Sequence, residues 1–233
     1  MLELRNYLLK PNSREKFIEY FANHFVDSQK ALGGYVLGRF TVKDEPDKFF
    51  WMRGFEDMRT RVAFLREFYE KGEVWKKYGS GANQMMLDSD NVYLLRPLES
   101  ESFDKNTLAV EKGIVVIDFY FVAESRRNEL AGSFLTHYTP FLKNKPTLWT
   151  SEMSENDFPR LPVVQDRNLL VAITAYKDES EYQSERLETV ELKKPLRKLL
   201  QKENTLILFP TARSLSGSSF PAVREDCSKK NPA

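Results

Sequence analysis

The architecture of this chain can be predicted from two similar stretches of sequence, Leu2-Glu-Leu-Arg-Asn-Tyr-Leu8 and Val115-Val-Ile-Asp-Phe-Tyr-Phe121. The first alternates apolar and polar residues, as a half-buried β-strand does, and the second lies within a strand predicted over residues 114–122. A shift of 113 positions pairs Leu2 with Val115, Leu4 with Ile117, Tyr7 with Tyr120 and Leu8 with Phe121. This register predicts that the chain contains one structural unit twice.

The repeat continues beyond these strands, with one compensated slip in the middle. The helical stretch Phe21-Ala-Asn-His-Phe25 aligns with Phe134-Leu-Thr-His-Tyr138 at the same shift. At the far ends of the two halves the shift of 113 again pairs Asn91 with Asn204 and Pro97 with Pro210. In the middle of each half the shift is 121, and it pairs Phe55 with Tyr176 and Asp57 with Asp178. We interpret the pattern as duplication. The alternative is that any two units of this fold share such spacing.

Hydrophobic periodicity predicts the element order β-α-β-β-α-β in each half, which is the ferredoxin-like unit. The predicted strands cover residues 2–8, 35–42, 49–55, 92–96, 114–122, 147–153, 169–176 and 205–209. Helices are predicted after Ser13, after Asp57, from about Leu130, and from Asp178 to about Leu200. Residues 72–90 are predicted to be irregular, apart from a short helix near residues 83–87.

The fold class that follows is α+β, with two tandem ferredoxin-like units. We predict a first unit over residues 1–98, a linker over 99–112, a second and diverged unit over 113–210, and a disordered tail over 211–233. Each four-stranded antiparallel sheet has helices on one face only, so its other face must be covered. Packing the two free faces together around a pseudo-two-fold axis predicts a dimeric α/β-barrel within one chain.

Composition limits the possible functions without naming one. The chain has 233 residues, 35 Lys and Arg against 34 Asp and Glu, and a single cysteine, Cys227. The near-zero net charge predicts no nucleic-acid partner, and no apolar stretch is long enough for membrane insertion. Together with the absence of a signal peptide, the lone cysteine indicates a cytoplasmic protein. We expect no cofactor and no metal, and a possible homo-oligomer.

A set of landmark residues in the first half resembles the NIPSNAP family. They are Leu4-Arg-Asn-Tyr7, Lys10-Pro11, Trp51-Met-Arg-Gly-Phe55, Phe68-Tyr69, Val74-Trp-Lys76, Asn83, Asp88-Ser-Asp-Asn-Val92 and Leu94-Leu-Arg-Pro97. The second half keeps little of this set. The resemblance implies the dimeric α/β-barrel fold and no settled reaction, and the wider fold includes cofactor-free monooxygenases, which is an analogy at the level of fold.

Strand alternation places Arg5 and Tyr7 on one face of the first strand, and Trp51 and Arg53 on one face of the third. We predict that all four side chains face the barrel interior, where two guanidinium groups and two aromatic rings would bind a small anionic or planar ligand. The alternative is an internal ion-pair network in which Glu3, Glu56 or Asp118 pairs with the arginines.

Trp75 and Asn83 complete the predicted ligand-binding residues, and His24, Asp118 and His137 are weaker candidates. Trp75 lies in the irregular segment and either forms a lid over the barrel mouth or fixes that segment to the core. His24 and His137 lie at the edges of helical apolar faces, and neither belongs to a metal-ligand cluster. Our leading hypothesis is a protein of NIPSNAP type that binds a small molecule, with no catalytic residue assigned. The alternatives are a cofactor-independent monooxygenase, in which Tyr7, Trp51 and His24 or Asn83 position an aromatic substrate, and a protein-interaction scaffold.

Overall fold

The computed structural model describes residues 1–98, 113–164 and 168–211. The predicted linker 99–112 lies outside these residues, as does all but the first residue of the predicted tail. Within the described residues no helix has both the length and the apolar character needed to cross a membrane.

The first half begins with strand β1 (Leu2–Leu9), followed by helices α1 (Arg14–His24) and α2 (Val26–Ala31). A hairpin of β2 (Tyr35–Val42) and β3 (Glu45–Gly54) leads to α3 (Met58–Leu65), a π-helical turn (Arg66–Lys71) and α4 (Glu73–Met85). The half ends with the short β4 (Met86–Asp88) and with β5 (Val92–Pro97). The predicted N-cap of α3 is confirmed, because Asp57 and Thr60 form a capping box.

The second half follows a similar order. Strand β6 (Ile114–Val122), a 3-10 turn (Glu124–Arg126), α5 (Arg127–His137) and a second 3-10 turn (Thr139–Phe141) precede β7 (Thr147–Ser151) and β8 (Leu169–Tyr176). Helices α6 (Glu179–Glu188) and α7 (Val190–Arg197) then lead to β9 (Leu200–Pro210). The Asp178 side chain caps α6 by accepting from the Glu181 N–H. Strand β9 is longer than the predicted 205–209, because α7 ends at Arg197 and not near Leu200 as predicted.

The strands form a closed eight-stranded antiparallel barrel. The order is β3-β2-β9-β6-β8-β7-β5-β1, closed by the pairing of β1 with β3, and β4 adds to β1 beyond the end of β5. Within each half the strands therefore follow the order fourth, first, third, second. The halves join where β2 pairs with β9 and β5 pairs with β7, so the barrel needs both of them.

The barrel interior is an apolar core built by both halves. Leu2, Leu4, Phe50 and Met52 point inward and meet side chains such as Ile117 from the second half. The prediction that Arg5, Tyr7, Trp51 and Arg53 face this interior is wrong: they share one face, but it is the face covered by the helices. Because neighbouring residues of a strand point to opposite sides, the apolar residues between them occupy the inside.

Helix α4 occupies most of the segment predicted to be irregular. Gly79 and Gly81 lower its intrinsic helix propensity by about 1 kcal/mol each relative to alanine, which explains the missed prediction. Both glycines permit close packing, because a Cβ atom on Gly79 would lie 2.7 Å from the Trp75 ring, and one on Gly81 would lie 2.4 Å from the Tyr20 hydroxyl. Tertiary contacts therefore stabilise a helix that local propensity disfavours.

Candidate functional site

A cavity of about 420 Å³ lies on the helix-covered face of the first half. Strand β1 forms its floor with Arg5 and Tyr7, and the π-helical turn and α4 form a wall. Residues 86–89, in and after β4, form a second wall, and the loop between β7 and β8 of the second half supplies Phe158, Arg160 and Leu161. A site of this size is within the usual range for small-molecule pockets, about 300–1,000 Å³.

The floor of this cavity, hereafter the β1 cavity, presents a buried guanidinium next to a phenol. The Arg5 side chain is 2% exposed, and its Nε donates a hydrogen bond to the Tyr7 hydroxyl oxygen at 2.8 Å. Arg5 Nη1 lies 3.2 Å from Glu3 Oε1 but makes no hydrogen bond of normal geometry with any described residue. Because Tyr7 accepts from Arg5, its own hydroxyl proton is free to point toward a ligand.

Beneath the cavity, one carboxylate is surrounded by three arginines. Glu3 accepts hydrogen bonds from Arg53 Nε at 2.7 Å and from Arg61 Nε and Nη2 at 3.1 and 3.0 Å, and it also contacts Arg53 Nη2. Arg5 is its third cationic neighbour. Arg53 Nη1 donates to the Gln29 side-chain oxygen at 2.7 Å. The ion-pair alternative is thus confirmed for Glu3, whereas Asp118 and Glu56 pair with none of these arginines among the described residues.

The electrostatics follow from this arrangement. Burial alone would raise the pKa of Glu3, but the attraction of Arg53, Arg5 and Arg61 holds that pKa well below its usual value. Burial raises the pKa of Tyr7, and the Arg5 charge offsets this only in part. Glu3 is therefore ionised and Tyr7 is a neutral phenol at neutral pH. Three guanidinium groups face the buried Glu3 and the more exposed Asp157, which lies 3.5 Å from Arg61, so the cluster keeps a net positive charge.

Aromatic rings form the walls of the β1 cavity. Tyr69 and Trp75 meet edge to face with ring centroids 4.6 Å apart, and Phe158 from the second half lies 6.4 Å from Tyr69. Tyr69 belongs to the π-helical turn, Arg66–Lys71, a type of local distortion that often occurs at functional sites. Flat rings on several sides suit a planar ligand.

The structure brings together four of the predicted site residues and separates the others. Arg5, Tyr7, Trp75 and Asn83 line the β1 cavity. Trp51 lines a smaller cavity of about 30 Å³ behind it, with an indole N–H that has no described partner. Arg53 lines neither cavity but contacts Trp51, with its guanidinium carbon 5.1 Å from the ring centroid.

The weaker candidates lie elsewhere. His24 is stacked on Tyr78 with ring centroids 3.8 Å apart, and His137 is exposed, with Nδ1 2.6 Å from the Thr136 hydroxyl. Neither histidine lines the β1 cavity. Asp118 lines a separate cavity in the second half. The described residues contain no group of three or more His, Cys, Asp or Glu side chains that could hold a metal.

Sequence reasoning missed the residues that close the site from outside the central strands. Tyr69 is a landmark of the resemblance but not a predicted site residue, and the loop that bears Phe158, Arg160 and Leu161 is not part of the predicted site. No pattern in the sequence places this loop of the second half over the first. The sequence does contain one signal, because Asp88 and Ser89 belong to the landmark stretch 88–92 and both line the cavity.

Comparison with known proteins shows similarity in structure only. No protein-family model matches the sequence, and no curated protein matches it. A candidate monooxygenase from Fusobacterium nucleatum is 14% identical over 94% of this chain and 95% of its own, with a TM-score of 0.61. An anthrone oxidase-like protein is 8% identical over 95% of this chain and 96% of its own, with a TM-score of 0.59.

These two similarities show a shared dimeric α/β-barrel fold over nearly the whole chain. The similarity to NIPSNAP proteins is partial. A NIPSNAP-like domain protein from Burkholderia xenovorans is 22% identical, but the match covers 44% of this chain and 88% of the other, with a TM-score of 0.38. The fold of nearly the whole described chain is therefore shared with these two proteins, and the NIPSNAP match covers less than half of this chain.

Proposed function

We propose that the first half binds a small, planar, anionic aromatic molecule in the β1 cavity. The observation that carries this proposal is the buried guanidinium of Arg5, which lines the cavity and donates from Nε to Tyr7, while its Nη1 faces Glu3 at 3.2 Å without hydrogen-bond geometry. Buried donors are normally paired, so an acceptor on a ligand in the cavity can complete the hydrogen bonding of this guanidinium. The site proposed here lies between sheet and helices, not in the barrel interior.

Charge and shape support the same ligand class. Arg5 and the two other arginines around Glu3 give the floor of the cavity a net positive charge. This charge favours a carboxylate or a phenolate over a neutral molecule. The neutral Tyr7 phenol can donate a second hydrogen bond to the same anionic group. The rings of Tyr69 and Trp75 can then stack against the aromatic body.

Paired ligands that differ only in charge test this proposal. We expect 1-naphthoate to bind the protein more tightly than 1-naphthamide in calorimetry and in tryptophan fluorescence, which Trp75 reports. Arg5→Met should weaken naphthoate binding by about tenfold or more, corresponding to about 1.4 kcal/mol, and should leave naphthamide binding unchanged. Arg126→Met, at an exposed ion pair in the second half, is the matched control. Equal affinities for the two ligands, or no binding of either, would contradict the proposal.

A second candidate function is the oxidation of such an aromatic molecule by O₂ without a bound cofactor. It is supported by the Arg5–Tyr7 pair, which can stabilise the delocalised anion formed when a methylene C–H between two aromatic rings loses its proton. The proton leaves to solvent at the cavity mouth, where Asn83 and Asp88 are exposed. Oxidation of a ring-flanked methylene to a carbonyl consumes one O₂ and releases one water, so no external reductant is needed.

Oxygen uptake separates this candidate from binding alone. An oxygen electrode with anthrone-type and hydroquinone substrates should show turnover that falls by about 10²-fold or more in Arg5→Met. Binding of naphthoate without any oxygen uptake across the panel would eliminate the oxidation and leave the binding proposal standing.

We also infer that the two halves are ferredoxin-like units that arose by duplication, and that the first is NIPSNAP-like. The equal strand order within the halves supports the duplication, and the landmark residues of the first half support the resemblance. If the halves are separate units, residues 1–98 and 113–211 produced as two chains should associate through β2–β9 and β5–β7 pairing. Failure of the two soluble halves to associate would count against this inference.

A further inference from the structure

The second half contains a cavity of its own, of about 330 Å³, between its strands and helices α5–α7. On its floor Asp118 lies in β6 between Ala172 of β8 and Thr205 of β9, just as Arg5 lies in β1 between Trp51 of β3 and Val92 of β5. The two halves thus place side chains of opposite charge at corresponding positions. We refer to this second space as the β6 cavity.

We propose that the β6 cavity binds an organic ammonium ion that carries an apolar arm. This proposal is independent of the function proposed for the first half. Asp118 is the group that would receive the ammonium. Its Oδ1 accepts from the Thr205 hydroxyl at 2.5 Å, whereas its Oδ2 lies 4.0 Å from Lys193 Nζ, too far for a hydrogen bond. Lys193 instead donates to Glu203 at 2.5 Å, so Oδ2 can accept a hydrogen bond from a ligand.

The buried part of this cavity has an excess of negative charge. Glu185 is 3% exposed and is held by uncharged donors, since it accepts from the backbone N–H groups of Lys143 and Asn144 and from the Asn144 side chain. Lys193 is bonded to Glu203 and is also the cation nearest to Asp118, at 4.0 Å. Among the described residues this one partly buried cation therefore serves the carboxylates of Asp118 and Glu203, while Glu185 has only uncharged donors.

Two arginines lie near these groups but do not cancel their charge inside the cavity. Arg186 and Arg197 are both exposed at the rim, where water screens them, and Arg197 is bonded to Glu203 at 3.2 Å. A ligand ammonium that enters the cavity would consequently meet buried carboxylates beyond a solvated rim. The opposite arrangement, with buried cations in excess, is found in the first half.

A buried phenol next to Asp118 also points to a ligand. Tyr120 lines the β6 cavity and is 1% exposed, and its hydroxyl lies beside Asp118 but makes no hydrogen bond of normal geometry with a described residue. Burial and the Asp118 charge raise its pKa well above the usual value, so it is a neutral phenol. Its ring already receives one ammonium, because Lys193 Nζ lies 5.0 Å from the ring centroid.

The remaining walls suit the rest of such a ligand. Tyr138, Tyr176 and Tyr182 also line the cavity, and the rings of the last two are 5.3 Å apart. Aromatic faces attract ammonium groups, and their edges accept apolar chains. Leu187 and Val190 line the outer part of the cavity and are 73% and 39% exposed, so an apolar arm leaving the cavity would cover them.

Phenethylamine and its neutral counterpart 2-phenylethanol are the probes for this site. In calorimetry or ligand-observed NMR with the full chain, phenethylamine should bind more tightly than the alcohol. Asp118→Asn keeps an acceptor for Thr205 and should weaken phenethylamine binding by about tenfold, with 2-phenylethanol changed by less than about twofold. Glu129→Gln, which removes an exposed carboxylate outside this cavity, should leave phenethylamine binding unchanged.

Three results would overturn the proposal. They are equal affinities for the amine and the alcohol, an Asp118→Asn variant that is folded and binds phenethylamine like the wild type, and an absence of binding at millimolar phenethylamine. Failure of naphthoate to bind the first half would not affect this outcome, since the two cavities share no lining residue.

Discussion

Replacing Glu3 by glutamine should cause one of the largest losses of stability available by a single substitution in this protein. Glu3 is fully buried, and its neighbours Arg53 and Arg61 are fully buried with it, while Arg5 is 2% exposed. Glutamine keeps the size of the side chain and one carbonyl acceptor but removes the one carboxylate, among the described residues, that contacts all three guanidinium groups. The variant is therefore left with three buried cations in close proximity, and only the partly exposed Asp157, beside Arg61, remains as a counter-charge.

The magnitude follows from opposing contributions. At an effective dielectric constant of about 20, two unit charges about 4 Å apart attract each other by about 4 kcal/mol, and Glu3 takes part in three such pairs. The desolvation of a buried carboxylate opposes this attraction by several kcal/mol. The net destabilisation expected for Glu3→Gln is about 3–5 kcal/mol, which is a large fraction of the about 5–15 kcal/mol of a typical domain.

Urea unfolding at several pH values is the assay. Because the folded pKa of Glu3 is lowered, its contribution is fully present above the unfolded value of about 4.3 and is lost as the pH falls toward the folded value. The difference between wild type and Glu3→Gln should be constant from about pH 6 to 8 and should shrink below about pH 4.5. Glu129→Gln, at an exposed pair with Arg126, should not shift the urea midpoint measurably.

A second variant keeps the reasoning testable if Glu3→Gln is too unstable to purify. In the glutamine background, Arg53→Met removes an unpaired buried cation and should restore stability, whereas the same change in the wild type should destabilise it. Two results would refute the conclusion that Glu3 stabilises the buried arginines. One is a loss of unfolding free energy below about 1 kcal/mol in Glu3→Gln, and the other is an effect of Arg53→Met that has the same sign in both backgrounds.

Three further substitutions test separate parts of the structure. Gly79→Ala places a Cβ atom 2.7 Å from the Trp75 ring, so the ring should move, and naphthoate affinity should fall while far-UV circular dichroism stays unchanged. Asp57→Ala removes the cap of α3 and should cost about 1 kcal/mol in urea unfolding, whereas Ser13→Ala should cost little, because Ser13 makes no side-chain cap bond. Leu4→Ala empties part of the barrel interior and should cost about 2–5 kcal/mol by the same measurement.

Much of the local structure was predictable because it depends on neighbours in the chain. Period-two alternation correctly placed Arg5 with Tyr7, and Trp51 with Arg53, on single faces of their strands. The side chain of Asp57 caps the helix directly after it, which a short-range pattern can indicate. The barrel fold followed from the same local patterns, since each sheet face not covered by helices needed another surface.

The strands, most helices and the sets of residues that share a face can be predicted from residue spacing, because they depend on near neighbours in the chain. The face that turns inward depends on packing in the folded chain: the inward set, including Leu4 and Met52, is apolar, so the arginines lie under the helices beside Glu3. The candidate site also depends on that packing. The β1 cavity needs Phe158 from the other half, and contact between residues so distant in sequence arises from barrel closure, which no local pattern encodes.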